Sequence, residues 1–174
     1  MNTDYRKVLD IVEKIKEIED AHEDGVVDYL VEEGDRQQES GEYENSIVCY
    51  DKAIKIDPKW VSPWLGKGMT YWILKKHEDA ITCYDKANDL LKNGSNATDF
   101  FERITDEIWG AKGGIYDHWG KYAEAIIYYD KQIEFYPNNH YAWNKKGHAL
   151  DKLGRHEDAK ECYDKANKIK SAIP

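Results

Sequence analysis

The chain has 174 residues and a mass of 20.3 kDa, with 34 acidic against 25 basic side chains and a formal net charge of −9. An acidic surface repels phosphate, so the charge argues against a nucleic acid or an anionic membrane as partner. Charged residues make up 34% and mean hydropathy is −0.84, more polar than a compact globule of this size needs, whereas a fold only two helices thick keeps that much surface wet.

Residues 1–26 come first. Met1-Asn2-Thr3-Asp4-Tyr5-Arg6-Lys7 lacks the apolar core of a secretion signal. No uncharged run approaches the roughly 20 residues of a membrane span, so the expected compartment is the cytoplasm. Tyr5, Val8, Ile11, Val12, Ile15 and Ile18 recur at helical spacing with charged residues mostly opposite, and Thr3 or Asp4 can cap the segment. The pattern predicts an amphipathic helix over about 4–22. Such a helix is either a lid over the element that follows or a plug in a groove, its own or a neighbour's.

From there the chain repeats itself. Tyr-Asp-Lys-Ala occurs at 50–53, 84–87 and 163–166, and Tyr129-Asp130-Lys131-Gln132 is a fourth copy; the steps are 34, 45 and 34 residues. A fixed period means one supersecondary unit stacked on copies of itself. Glycine returns at Gly34, Gly68, Gly113 and Gly147, a large apolar residue at Leu30, Trp64, Trp109 and Trp143, and a small one at Ser46, Ala80, Ala125 and Ala159. Apolar and small residues follow helical spacing within each unit, as in Trp64, Gly68 and Tyr71, then Ala80, Tyr84 and Ala87. Ser40-Gly41, Lys75-Lys76, Trp119-Gly120 and Leu153-Gly154 mark a turn between two helices. Pro58 and Pro137 stop the second helix of their units.

This pattern resembles the tetratricopeptide repeat (TPR) family: a large apolar residue at position 4, a small one at 8, an aromatic or Leu at 11, Ala at 20, an aromatic at 24, Ala at 27 and Pro at 32. Position 7, often Leu in that family, is Glu33, Lys67, Lys112 and Lys146 here. The resemblance implies an all-α fold, a right-handed α-solenoid of four helix pairs behind the N-terminal amphipathic helix. The implied organisation is a capping helix over 1–26, repeats one and two over 27–94, an insertion over 95–105, and repeats three and four over 106–174. The insertion is expected to lengthen the next helix by up to three turns, about 16 Å, and its Phe100, Phe101 and Ile104 need burial.

The resemblance also implies where a ligand lies, on the concave wall made by positions 2, 5, 9, 12 and 13 of the first helices. The second repeat offers Leu65, Met69, Trp72 and Ile73 there, an apolar strip on a surface meant for solvent. The third offers Gly110, Gly114, Asp117 and His118, the two glycines leaving a slot for a bulky group. The fourth offers Tyr141, Asn144, His148 and Asp151. A carboxylate clamp for the acidic tails of heat-shock chaperones would need lysine, arginine and asparagine at set positions. Only Lys145 suits, so a chaperone C-terminal tail is disfavoured.

Cys49, Cys83 and Cys162 share position 23 of their repeats, too far apart for disulfides and without the Cys-x-x-Cys spacing of a metal cluster. No phosphate loop, nucleophile elbow or paired catalytic carboxylates are recognisable, and no cofactor or metal is expected. The sequence therefore reads as a non-enzymatic adaptor or scaffold that binds a protein or peptide, its acidic residues favouring a basic one. The alternatives are a self-assembling module, a homodimer through the N-terminal helix or C-terminal end, and a non-catalytic regulatory subunit of an enzyme.

Overall fold

The computed structural model describes residues 23–93 and 99–172. The helix expected over 4–22, and the side chains of Phe100 and Phe101, lie outside them. The described residues form eight α-helices and no strand. The chain divides into two compact units, Met1–Leu74 and Lys75–Pro174. The first holds α1 (Glu23–Glu39), α2 (Tyr43–Ile56) and α3 (Val61–Ile73); the second holds α4 (His77–Asn93), α5 (Asp99–His118), α6 (Tyr122–Phe135), α7 (His140–Lys152) and α8 (His156–Ser171). Leu74 ends the first unit, so the two helices of the second repeat fall on either side of the division.

The turns explain why the helices stop where they do. Gly41, Gly120 and Gly154 adopt φ of +78°, +79° and +75°. In each case the next residue's N–H turns back to a carbonyl in the helix just ended: Glu42 to Gln37 at 2.8 Å, Lys121 to Tyr116 at 2.8 Å, Arg155 to Leu150 at 2.9 Å. This is the left-handed C-terminal cap that glycine favours. Lys75 takes the same conformation at φ +58° without glycine's freedom. Asn139 starts α7, its Oδ1 accepting from the N–H groups of Tyr141 and Ala142 at 3.1 Å each.

α1 begins at Glu23, four residues before the repeat start read from the sequence. Its apolar face begins early too: Val26, Val27 and Leu30 are buried with Ala53 in one cluster, against which Val31 and Trp60 pack. In the second unit Ala125, Tyr129 and Ala149 form one cluster, and Leu150, Ala159 and Cys162 another. α5 has 20 residues against 13 in α3 and α7, about two turns more. Ile104, in those added turns, is half-buried.

Candidate functional site

The hairpins are closed by glycine against tyrosine. A Cβ on Gly34 would lie 2.6 Å from Cε1 of Tyr50, one on Gly113 2.6 Å from Tyr129, and one on Gly147 2.7 Å from Tyr163. Only hydrogen fits there, so the rings of Tyr50, Tyr129 and Tyr163 press against the backbone of their partner helices. Ser46, Ala80, Ala125 and Ala159 are fully buried, as close packing at that position requires. Ser46, the one hydroxyl among them, lies 3.2 Å from Oγ1 of Thr70, which in turn donates to the Gly66 carbonyl.

The tryptophans are not alike. Nε1 of Trp64 donates to the Pro58 carbonyl at 3.2 Å and that of Trp143 to Pro137 at 2.9 Å. Trp109 instead meets Phe135 edge-on at 5.7 Å. It follows the repeat in which Lys92 stands where the first and third carry Pro58 and Pro137.

The lysines at position 7 tie repeats together. Lys67 of α3 pairs with Asp51 of α2 at 2.5 Å, Lys112 of α5 with Asp85 of α4, and Lys146 of α7 with Asp130 of α6 at 2.6 Å. Each aspartate is the second residue of a Tyr-Asp-Lys motif. Lys112 is the most enclosed, its side chain 7% exposed and its ammonium 4.6 Å from the centre of the Tyr128 ring. Burial works against its charge, but the bonds to Asp85 and Tyr128 outweigh burial and raise its pKa. Glu33 holds this position in the first repeat, nearly buried and bonded by Arg36 and Gln37 of its own helix.

On the first unit, the outward face of α3 carries the apolar strip. Met69 is 46% and Ile73 42% exposed, one helical turn apart, with Leu65 and Trp72 half-buried on the same helix. The corresponding face of α1 is polar, and part of it is engaged: Tyr50 donates to Asp35 at 2.6 Å and to Gln38 at 3.3 Å.

On the second unit the same helix positions carry charge. Nδ1 of His148 lies 3.1 Å from Oδ1 of Asp117, joining α7 to α5. Asp151 receives Nδ1 of His156 at 3.0 Å on one oxygen and the Tyr163 hydroxyl at 3.0 Å on the other. These two bonds, His156 first, hold its carboxyl below the usual carboxylate range. Burial and Asp151 push the Tyr163 hydroxyl up to about 12. Tyr129 is buried, and its hydroxyl has no partner among the described residues. Where Asp35 serves Tyr50, this repeat has Gly114, and Asp117 is turned to His148.

Tyr141 is 68% exposed, and His118 and Asn144 are exposed on α5 and α7. Gly110 does not border an open slot. A Cβ there would lie 2.9 Å from Nε2 of Gln132, whose amide fills that space and donates to Asp106 at 3.0 Å. Asp117 pairs with His148 and Asp151 with His156, and among the described residues no three metal-ligating side chains converge. The three cysteines are free and buried, and burial pushes the Cys49 thiol up to about 11, out of reach of thiolate chemistry at neutral pH. No described helix is long and apolar enough to cross a membrane.

The tetratricopeptide repeat pattern matches residues 61–90, 106–139 and 140–173, and a second TPR repeat pattern matches 34–75. The chain belongs to the tetratricopeptide repeat family. It is 24% identical over 127 residues to anaphase-promoting complex subunit 3 of Schizosaccharomyces pombe, a match covering 73% of this chain and 17% of that protein. The chain thus spans about a sixth of that relative's length. Among solved structures it is similar to BtubC (BKLC) from P. vanneervenii, with a TM-score of 0.80, 15% identity and coverage of 98% of this chain and 75% of that one. It is similar to MamA MSR-1, with a TM-score of 0.69, 18% identity and coverage of 97% and 91%. The first TPR of Spaghetti (RPAP3) bound to the HSP90 peptide SRMEEVD gives a TM-score of 0.61, 23% identity and coverage of 74% and 93%. At such identities the likeness is one of fold.

Proposed function

We infer that the chain is a protein-interaction scaffold without a reaction of its own, holding a peptide or helix of a cytoplasmic partner on the outward faces of its first helices. The observation that carries this reading is the α3 strip. Met69 and Ile73 stand in solvent one helical turn apart, and among the described residues no other two exposed large hydrophobics lie within a turn of each other on one helix; Val48, Ile56, Ile127, Phe135, Tyr141 and Leu153 are exposed singly. An apolar anchor seated there removes them from water. Asp117 and Asp151 on the second unit add negative charge, which favours a basic segment and speeds its approach. The same charge opposes an acidic peptide. The Spaghetti domain is bound to SRMEEVD, but of the positions where a clamp would need basic groups only Lys145 here is basic.

The test is selection of a random-peptide display library on the immobilised chain and on a Met69→Asp/Ile73→Asp variant. The expected outcome is enrichment of sequences with a large apolar residue near lysine or arginine on the wild type and loss of that enrichment on the variant. Equal enrichment on both removes α3 as the anchor site.

A further inference from the structure

One carboxylate of the second unit has fewer donors than its burial calls for. The side chain of Asp117, on α5, is 12% exposed, and among the described residues its carboxylate has one partner, Nδ1 of His148 at 3.1 Å. A carboxylate so enclosed needs donors around it. His148, on α7, is half-exposed and carries charge only when protonated.

A hydroxyl with the same lack stands beside it. Tyr129, on α6, is 2% exposed, and its hydroxyl has no partner among the described residues. The repeat tells where that hydroxyl points. Tyr50 and Tyr163 press on Gly34 and Gly147 and donate to a carboxylate of the same first helix, Tyr50 to Asp35 at 2.6 Å and Tyr163 to Asp151 at 3.0 Å. Tyr129 presses on Gly113 in the same way, which carries its hydroxyl toward the face of α5 that bears Gly114 and Asp117. Burial first, and then the charge of Asp117, push the pKa of that hydroxyl above its ordinary value, as a neighbouring carboxylate requires. Gly114 stands where the first repeat has Asp35 and the fourth His148, so α5 brings no side chain of its own to that position.

We propose that Asp117 and the Tyr129 hydroxyl seat an arginine side chain of the bound segment, its guanidinium displacing the imidazole of His148. The proposal rests on the scaffold reading above and names the basic residue that reading calls for. The carboxylate and hydroxyl oxygens are acceptors. A guanidinium presents five N–H donors in one plane and can serve both, where an ammonium is a compact point charge. Tyr122 stands edge-on to the imidazole, ring centres 6.5 Å apart, an aromatic neighbour that suits a planar cation. Lys145 and Lys152 share α7 with His148, but both are exposed, so water and salt screen their charge more than that of the enclosed Asp117.

The probes are N-acetyl-arginine methylamide and its lysine and citrulline counterparts, titrated into the full chain and followed by amide and side-chain NMR shifts. The arginine probe should bind saturably, with its shifts centred on Gly114, Asp117, Tyr129 and His148. The lysine probe should bind about fivefold or more weaker, and the uncharged citrulline probe should not bind. Tyr129→Phe should weaken the arginine probe about three- to tenfold. A thermal melt of the same variant shows whether its fold is kept, so a weaker affinity at unchanged stability is a loss of contact. His148→Ala should strengthen binding, because the displaced competitor is gone. No saturable shift, equal binding of arginine and lysine, or an affinity indifferent to Tyr129→Phe overturns the proposal. The two readings can fail apart. Peptide enrichment that depends on α3, with no arginine shift, overturns the seat and leaves the scaffold; an arginine shift without peptide enrichment supports the seat and removes the α3 anchor.

Discussion

The face of α3 in the first unit and those of α5 and α7 in the second are built on the same frame and carry opposite chemistry. On α3 they expose Met69 and Ile73; on α5 and α7 they present Asp117, His148 and Asp151. The glycine–tyrosine contact and the lysine–aspartate pair are common to both units. The repeat thus determines where a side chain stands and leaves its chemistry free. In the proposed function, recognition is written on the residues that the period does not constrain.

The shared frame is tested by the largest expected effects. Gly34→Ala in one unit and Gly113→Ala in the other should each destabilise by about 1–3 kcal/mol, because the added methyl meets a tyrosine ring that has no room to retreat. Gly25→Ala is the control of opposite sign. Among the described residues nothing outside its own helix backbone lies within 4 Å of a Cβ there, and better helix propensity should stabilise by about 0.5–1 kcal/mol. Thermal unfolding of the three variants decides it; a neutral Gly113→Ala breaks the common frame.

Next in size is the inter-repeat pair. Asp85→Ala leaves the 7%-exposed Lys112 without its carboxylate, for a loss of about 2 kcal/mol in urea unfolding, whereas Asp51→Ala, facing the more open Lys67, should cost about half as much. Equal losses would mean that burial of the lysine does not matter.

Smaller still is the difference between tyrosine hydroxyls. Tyr50→Phe should cost about 1 kcal/mol, since the hydroxyl bonds Asp35, while Tyr129→Phe, which removes a buried hydroxyl without a partner among the described residues, should be neutral or slightly stabilising.

The frame was legible because its rules are local. Glycine, tyrosine and a small residue return on a fixed period, and close packing leaves them few substitutes. The lysines at position 7 stand on the same period. Their role escaped the sequence reading because they were compared with the family's leucine rather than with the aspartate one repeat earlier. The slot at Gly110 was misread because spacing along one helix does not say which neighbouring side chain fills the gap; Gln132, standing where the other repeats carry alanine, fills it. Trp109 differs from Trp64 and Trp143 for a reason present in the sequence, the loss of proline at Lys92. The pairing of His148 with Asp117 and of His156 with Asp151 depends on side-chain directions that no periodicity encodes.

The smallest effect is on pH. Asp151 has a folded-state pKa below its unfolded value of about 3.9, so its contribution is complete above that pH and is lost as pH falls through the lower, folded value. The wild type should lose stability below about pH 4 more steeply than Asp151→Asn, by acid titration followed with circular dichroism. Parallel titrations would place the acid sensitivity elsewhere.

The division of chemistry between the faces is tested most directly by the salt dependence of binding, with a peptide from the display selection titrated calorimetrically into three chains. Wild-type affinity should fall as salt rises. Asp117→Asn/Asp151→Asn should bind more weakly at low salt and lose that dependence. Met69→Asp/Ile73→Asp should fail to bind at any salt. Undiminished binding by the Met69→Asp/Ile73→Asp chain would contradict the account.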